Sequence, residues 1–278
     1  MEKSIWRKFV NRFMVILTGL SAALGVAALL AVLGFVTKNG IGALNVDLFT
    51  HLPTPVGVPG GGVANAIVGS LIVIGLASLF AVPMGLGAGM YLSEFGTNRF
   101  ADVVRYLADV LSGVPSIVIG IFAYNLIVAR QGSFSALSGG LALGVMMLPS
   151  IVRTTEEMLR MVPAAQREAS LALGLTRWRT IVSVVLPSAR SGVTTGILLA
   201  VARVAGETAP LLFTAFGNPY WSFDIRQPIA TLPHTLFTYA ISPYADWQSK
   251  AWGTALVLTG MMLAASILAR RSRQRRVT

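Results

Sequence analysis

The residues best suited to chemistry in this chain are ionic groups set in apolar sequence. Arg203 sits inside an apolar run from about 191 to 216, and Glu207 follows four residues later. That spacing puts both side chains on one face if the run is a helix. Arg153 sits in another apolar run, one turn after Pro149. A charge at mid-bilayer costs about 2.5–3.5 kcal/mol on insertion scales, so such residues usually face a cavity or a partner. A guanidinium cannot lose its charge, and its planar fork matches two oxygens of a phosphate. The candidate chemistry is anion recognition by Arg203, with Glu207 orienting or balancing it. Arg153 is a second candidate contact. A buried structural ion pair is the competing account of Arg203 and Glu207, and snorkelling toward the surface is the competing account of Arg153.

Other chemistries are poorly served. The chain has no cysteine, which removes disulfides and thiolate sites, and its two histidines, His51 and His234, fall in different loops and begin no metal-ligand cluster. No G-x-x-x-x-G-K-[ST] phosphate loop occurs, so nucleotide hydrolysis is not expected on this polypeptide. No catalytic residue, cofactor or metal is expected. The net charge of +11 comes from basic residues flanking apolar segments, a pattern of membrane topology rather than of nucleic-acid binding.

The elements that position these residues are membrane helices. Of 278 residues, 54% are hydrophobic and only 12% charged, about half the charge of a soluble domain. A spanning helix needs about 20 mostly apolar residues. Six candidate spans run from about Phe13 to Val36, Val63 to Leu92, Val103 to Val128, Leu137 to Met158, Ser191 to Phe216 and Ala251 to Ala269. The first is too long for a signal peptide and has no small-residue cleavage pattern. The expected fold is an all-α integral membrane protein with six transmembrane helices. The expected division is an N-terminal helix and outer loop, 1–62, and a five-helix core, 63–278. With the N-terminus inside, the outer side carries only Lys38, Arg130, Arg226 and Lys250, while the basic tail from Arg270 to Arg276 lies inside with the other loop arginines. This asymmetry puts both termini in the cytoplasm. Aromatic residues such as Tyr220, Trp221, Tyr244 and Trp247 in the outer loops suit the headgroup interface or a periplasmic partner.

The inner loop from about 159 to 190 has readable helix ends. Pro163 fits a first helical position, Gly174 a residue just past a helix end, and Thr176 the cap of a second helix that stops near Pro187. The first arm carries Ala164, Ala165, Ala169 and Ala172, small side chains that let another surface come close. Docking of a soluble partner and rest on the membrane surface are equally open on these features alone.

Three segments carry a resemblance. Glu168-Ala169-Ser170, Gly174, Ile181 and the Leu186-Pro187 pair resemble the coupling loop of ABC importer permeases, with Ser170 replacing a third small residue. Ala202 to Leu212 resembles the A-R-x-x-G-E-T-A-P-L-L segment of the PstA family of phosphate permeases, and Gly113 to Gly120 a G-x-P-S-I-x-x-G segment of the same importers. After G-E-T the companion PstC family typically reads M-A, so the likeness is to PstA. The resemblance implies a type I ABC importer permease whose elbow docks an ATPase subunit dimer through Glu168, Ala169, Ser170 and Gly174. It implies a PstC-like second permease subunit, a periplasmic phosphate-binding protein and phosphate as substrate. A permease for sulfate or molybdate, and a stand-alone secondary anion transporter, are the alternatives. The latter should show an internal repeat, and none is clear.

Overall fold

The computed structural model describes residues 2–58 and 60–274, with side chains over 6–58 and 60–267. The basic tail therefore lies outside the described side chains. In chain order the helices are α1 (Glu2–Gly40), α2 (Val46–Thr50), α3 (Ala64–Glu94), α4 (Arg99–Gly113), α5 (Ser116–Ala123), α6 (Ala129–Gln131), α7 (Ala136–Arg160), α8 (Ala164–Ala172), α9 (Arg177–Thr180), α10 (Leu186–Ala205), α11 (Ala209–Thr214), α12 (Leu232–Ala240) and α13 (Ala245–Gln274). Wide π turns at Tyr124–Val128 and Ile181–Val185 join α5 to α6 and α9 to α10. Among the described residues the only extended pairing is a single parallel bridge, Phe216 to Ile229.

Among the described residues, five segments are long and apolar enough to cross a membrane: α1, α3, α7, the continuous α9–α10 rod and α13. The expected third span is not one rod. It breaks between α4 and α5 with a bend of 106°. The cause is local. Val114 precedes Pro115, a position biased against helix, and both residues take extended ψ values of 130° and 137°. Helix α4 is amphipathic: Ala101 and Ala108 are buried, while Phe100, Val103, Leu107 and Val110 are exposed.

The expected fifth span is also shifted. Its helix begins at Arg177, passes Pro187 without stopping and ends at Ala205. The π turn just before Pro187 loosens the hydrogen-bond ladder that a proline would otherwise break. The chain then leaves helix over Gly206–Thr208 and resumes as α11, which packs against α5, where Gly120 admits the backbone of Pro210.

The core joins α3, α7, α10 and α11 through Val73, Ala77 and Ala81, Leu143, Met147 and Ile151, Ala200 and Val204, and Leu211. Small residues set the helix separations. A β-carbon added at Gly85 would lie 2.6 Å from Ile151 Cγ2, and one at Gly89 2.5 Å from Thr155 Cβ. On α10, additions at Gly192 and Gly196 would lie 2.2 Å from Met158 Sδ and Thr154 Cγ2. Close approach of this kind replaces hydrophobic driving force as the source of packing in lipid. Helix α1 stands apart along most of its length. It meets α13 near its end, where Phe35 packs edge-on to Trp252 at 5.4 Å and Gly40 sits against the Trp252 carbonyl.

Candidate functional site

A groove of about 810 Å³ runs between α7 and α10. Its near end, at the α8–α9 elbow, is formed by Met161, Pro163 and Gln166. Ser150 and Arg203 are the lining residues farthest along α7 and α10 from that elbow. Between them lie Thr154, Ser188, Ser191 and Thr195, with Gly192 and Gly196 keeping the wall low. Arg203 is exposed to this groove. Among the described residues no carboxylate lies within ion-pair distance of it. A guanidinium left unpaired on an apolar helix needs water or an anion in front of it.

Arg203 and Glu207 do not form the expected pair on one helix face. Helix α10 ends at Ala205, Gly206 caps it, and the Glu207 amide donates to the Val204 carbonyl in a tight turn at 3.1 Å. Glu207 is half-buried in the break between α10 and α11. Val204 and Leu211, on either side of the break, share a packed core cluster with Leu143 of α7, so the break lies beside the interior of α7 rather than at its ends. Irregular backbone at such depth is tolerated where it is covered by protein or lines a cavity.

Arg153 is placed differently. Its Nε and Nη2 grip both oxygens of Asp109 on α4, the former at 2.9 Å, and its Nη1 reaches Glu156 at 3.3 Å. Glu156, only 2% exposed, also receives Arg105 Nε at 2.7 Å and Arg160 Nη2 at 2.8 Å. Arg105 further donates to the carbonyls of Leu92 and Gly96 and to Asp102. At about 100° per residue, Arg153, Glu156 and Arg160 occupy a different face of α7 from Ser150, Thr154 and Met158. The groove and the ionic cluster are thus on separate sides of one helix. Sequence reasoning missed Glu156, Arg105 and Asp109. The signal for Glu156 was available in its spacing of three and four from Arg153 and Arg160.

The elbow is built as its sequence suggests, with a one-residue difference: Pro163 caps α8 and Ala164 is its first residue. At the other end the Gly174 amide donates to Leu171 and the Leu175 amide to Ser170, with Gly174 at φ +81°. This is the Schellman ending, and it requires a left-handed residue that glycine adopts without strain. Thr176 Oγ1 accepts from the Arg179 amide and starts α9. Ala164, Ala165, Glu168, Ala169, Ala172 and Gly174 are exposed. Ser170 is not: its hydroxyl meets that of Thr180 at 2.9 Å, and both residues are 4% exposed. Ser170 therefore holds α8 on α9 and is not part of the outward face.

At the opposite end, a cavity of about 520 Å³ is lined by Pro53, Asn65, Phe216, His234, Tyr239 and Trp247, among others. Burial pushes the His234 imidazole below its ordinary value.

Residues 81–277 match the family of binding-protein-dependent transport system inner membrane components. The phosphate transport system permease protein PstA of Yersinia pestis is 44% identical over 97% of this chain and 92% of its own. PstA of Xylella fastidiosa (strain Temecula1) is 47% identical over 95% of this chain and 92% of its own. Among solved structures, the inward-facing MetNI methionine ABC transporter matches with a TM-score of 0.65 at 19% identity, covering 77% of this chain and 94% of that one. A bacterial alginate ABC transporter, in complex with its alginate-bound periplasmic protein, matches with a TM-score of 0.64 at 13% identity, covering 98% and 96%. These two share the fold. With relatives 44% and 47% identical over almost the full length, the chain belongs to the PstA family of phosphate transport system permeases.

Proposed function

We propose that this chain is the membrane-spanning permease subunit of an ATP-driven phosphate importer, and that Arg203 is its anion contact. A periplasmic phosphate-binding protein delivers the ion to the end of the bundle that carries α12. A PstC-like second permease subunit closes the open side of the α7–α10 groove and completes the path. The core is 63–278, with residues 1–62 adding a helix and an outer loop. The elbow lies in the cytoplasm with both termini, a reading supported by the excess of basic residues at that end. There Glu168, Ala169 and Gly174 face an ATPase subunit dimer. Glu207, in the helix break four residues on, adds a negative charge near Arg203 that discourages an anion from resting there too tightly. Arg153 is assigned to the Asp109–Glu156 cluster and not to the path.

The observation that carries this reading is the Arg203 guanidinium, without an ion-pair partner among the described residues, on a groove lined with hydroxyls. The deciding measurement is uptake of radiolabelled phosphate by proteoliposomes holding the whole complex. Arg203→Ala is expected to abolish uptake while the ATPase and second permease subunit still co-purify, and Arg203→Lys to retain a fraction. Normal uptake by Arg203→Ala rejects the role. Competition by sulfate or molybdate at the level of phosphate rejects the substrate.

A further inference from the structure

A docking elbow moves substrate only if its displacement reaches the spanning helices, and the bonds of α8 show how that force divides. Toward the following helices, Ser170 bonds Thr180 on α9, and Gln166 accepts from Ser188 on α10 at 3.3 Å. Those ties run to segments that follow α8 directly in the chain. Arg167 does something else. Its Nη2 donates to Glu94 Oε1 at 2.8 Å and to the Leu159 carbonyl at 2.7 Å. Its Nε reaches Glu94 Oε2 at 3.2 Å, and its Nη1 donates to the Val162 carbonyl at 2.5 Å. Glu94 is the last residue of α3, Leu159 lies in the last turn of α7, and Val162 lies in the link to α8. One rigid, planar cation thus ties α8 to α3 and α7 together. Helix α3 has no covalent proximity to α8, since more than sixty residues separate them in sequence. The ion pair is mostly shielded, with side-chain exposures of 22% for Arg167 and 13% for Glu94. Salt screens such a pair far less than an exposed one.

We propose that Arg167 is the positioning residue that carries displacement of α8 into α3, so that α3 and α7 move as one unit when the ATPase pulls on the elbow. The inference rests on the reading of the elbow as the ATPase dock. Glu94 is the receiving group, and the Leu159 and Val162 carbonyls hold the guanidinium plane in line with it. A lysine keeps the charge but has no fork to span carboxylate and carbonyls at once.

The experiment uses the full complex in proteoliposomes and measures three quantities: ATPase co-purification, ATP hydrolysis and phosphate transported per ATP. Arg167→Ala is expected to keep the ATPase bound and hydrolysing, while phosphate per ATP falls by about tenfold, within the range for substitutions along a coupling route. R167K should be intermediate, and Glu94→Gln, which keeps the shape but not the charge, should fall the same way to a smaller extent. Unchanged phosphate per ATP in Arg167→Ala overturns the inference. Release of the ATPase by Arg167→Ala also overturns it, since Arg167 would then shape the dock and not transmit from it. If Arg167→Ala fails to assemble, R167K and Glu94→Gln decide by the same ratio. The underlying dock is tested separately by Ala169→Arg on the exposed arm. An ATPase still bound and coupled in that variant removes the docking reading without reference to Arg167.

Discussion

Arg153 and Arg203 are both guanidiniums on apolar helices, and their surroundings treat them in opposite ways. Arg153 belongs to a cluster in which the buried Glu156 carboxylate takes three guanidiniums, those of Arg105, Arg153 and Arg160. Glu156 is the shared counter-charge, so its removal leaves three guanidiniums crowded together, whereas removal of one arginine leaves Glu156 with two others. Deleting one member of a fully buried pair costs about 3–5 kcal/mol, and the partial exposure of these arginines brings the cost here below that. Glu156→Leu is therefore expected to lower the thermal unfolding temperature of the purified complex sharply. Arg153→Ala should destabilise it less and leave the phosphate KM unchanged, because Arg153 faces α4 and not the groove. A raised KM in Arg153→Ala would return it to the path. Arg203 was legible from sequence because an ion in an apolar run announces its own cost. The Glu156 cluster was not, because Arg105 lies 51 residues away and only folding brings it near.

At the scale of elements, apolar runs read α1, α3, α7 and α13 well, since length and lack of charge are enough. They failed at two breaks. A running hydropathy sum treats about 103–128 as one rod, yet Asp102, Arg105 and Asp109 recur at helical spacing and mark α4 as one-sided. The second break, at Gly206–Thr208, is hidden because its neighbours on both sides are apolar. Glycine spacing, a weak signal alone, proves to set the fit of α10 on α7. Gly196→Leu should cost about 1–3 kcal/mol by overpacking against Thr154, and should narrow the groove as it does so. Co-purification and melting of that variant would check this. A melt equal to that of the unaltered complex would mean that the two helices separate at little cost.

For the whole molecule the two ends of the bundle differ in kind. One gathers charged clusters and the alanine-rich elbow, and the other gathers aromatic loops and α12. The chain has no cysteine, so single replacements report sidedness without background. Leu173 at the elbow and Tyr220 at the other end are 83% and 72% exposed. In intact cells, a membrane-impermeant maleimide is expected to label Tyr220→Cys and to label Leu173→Cys only after the membrane is opened. The reverse pattern would invert the orientation.

The openness of the α7–α10 groove has a consequence for biogenesis. A chain inserted without its companion would turn Arg203 toward hydrocarbon, at a penalty of about 2.5–3.5 kcal/mol on insertion scales. Marginal folded states are routinely cleared by proteases at penalties of that size. The guanidinium proposed to contact the ion would then also serve as a mark of incompleteness, and the cell's supply of this subunit would be set by the subunit that covers it.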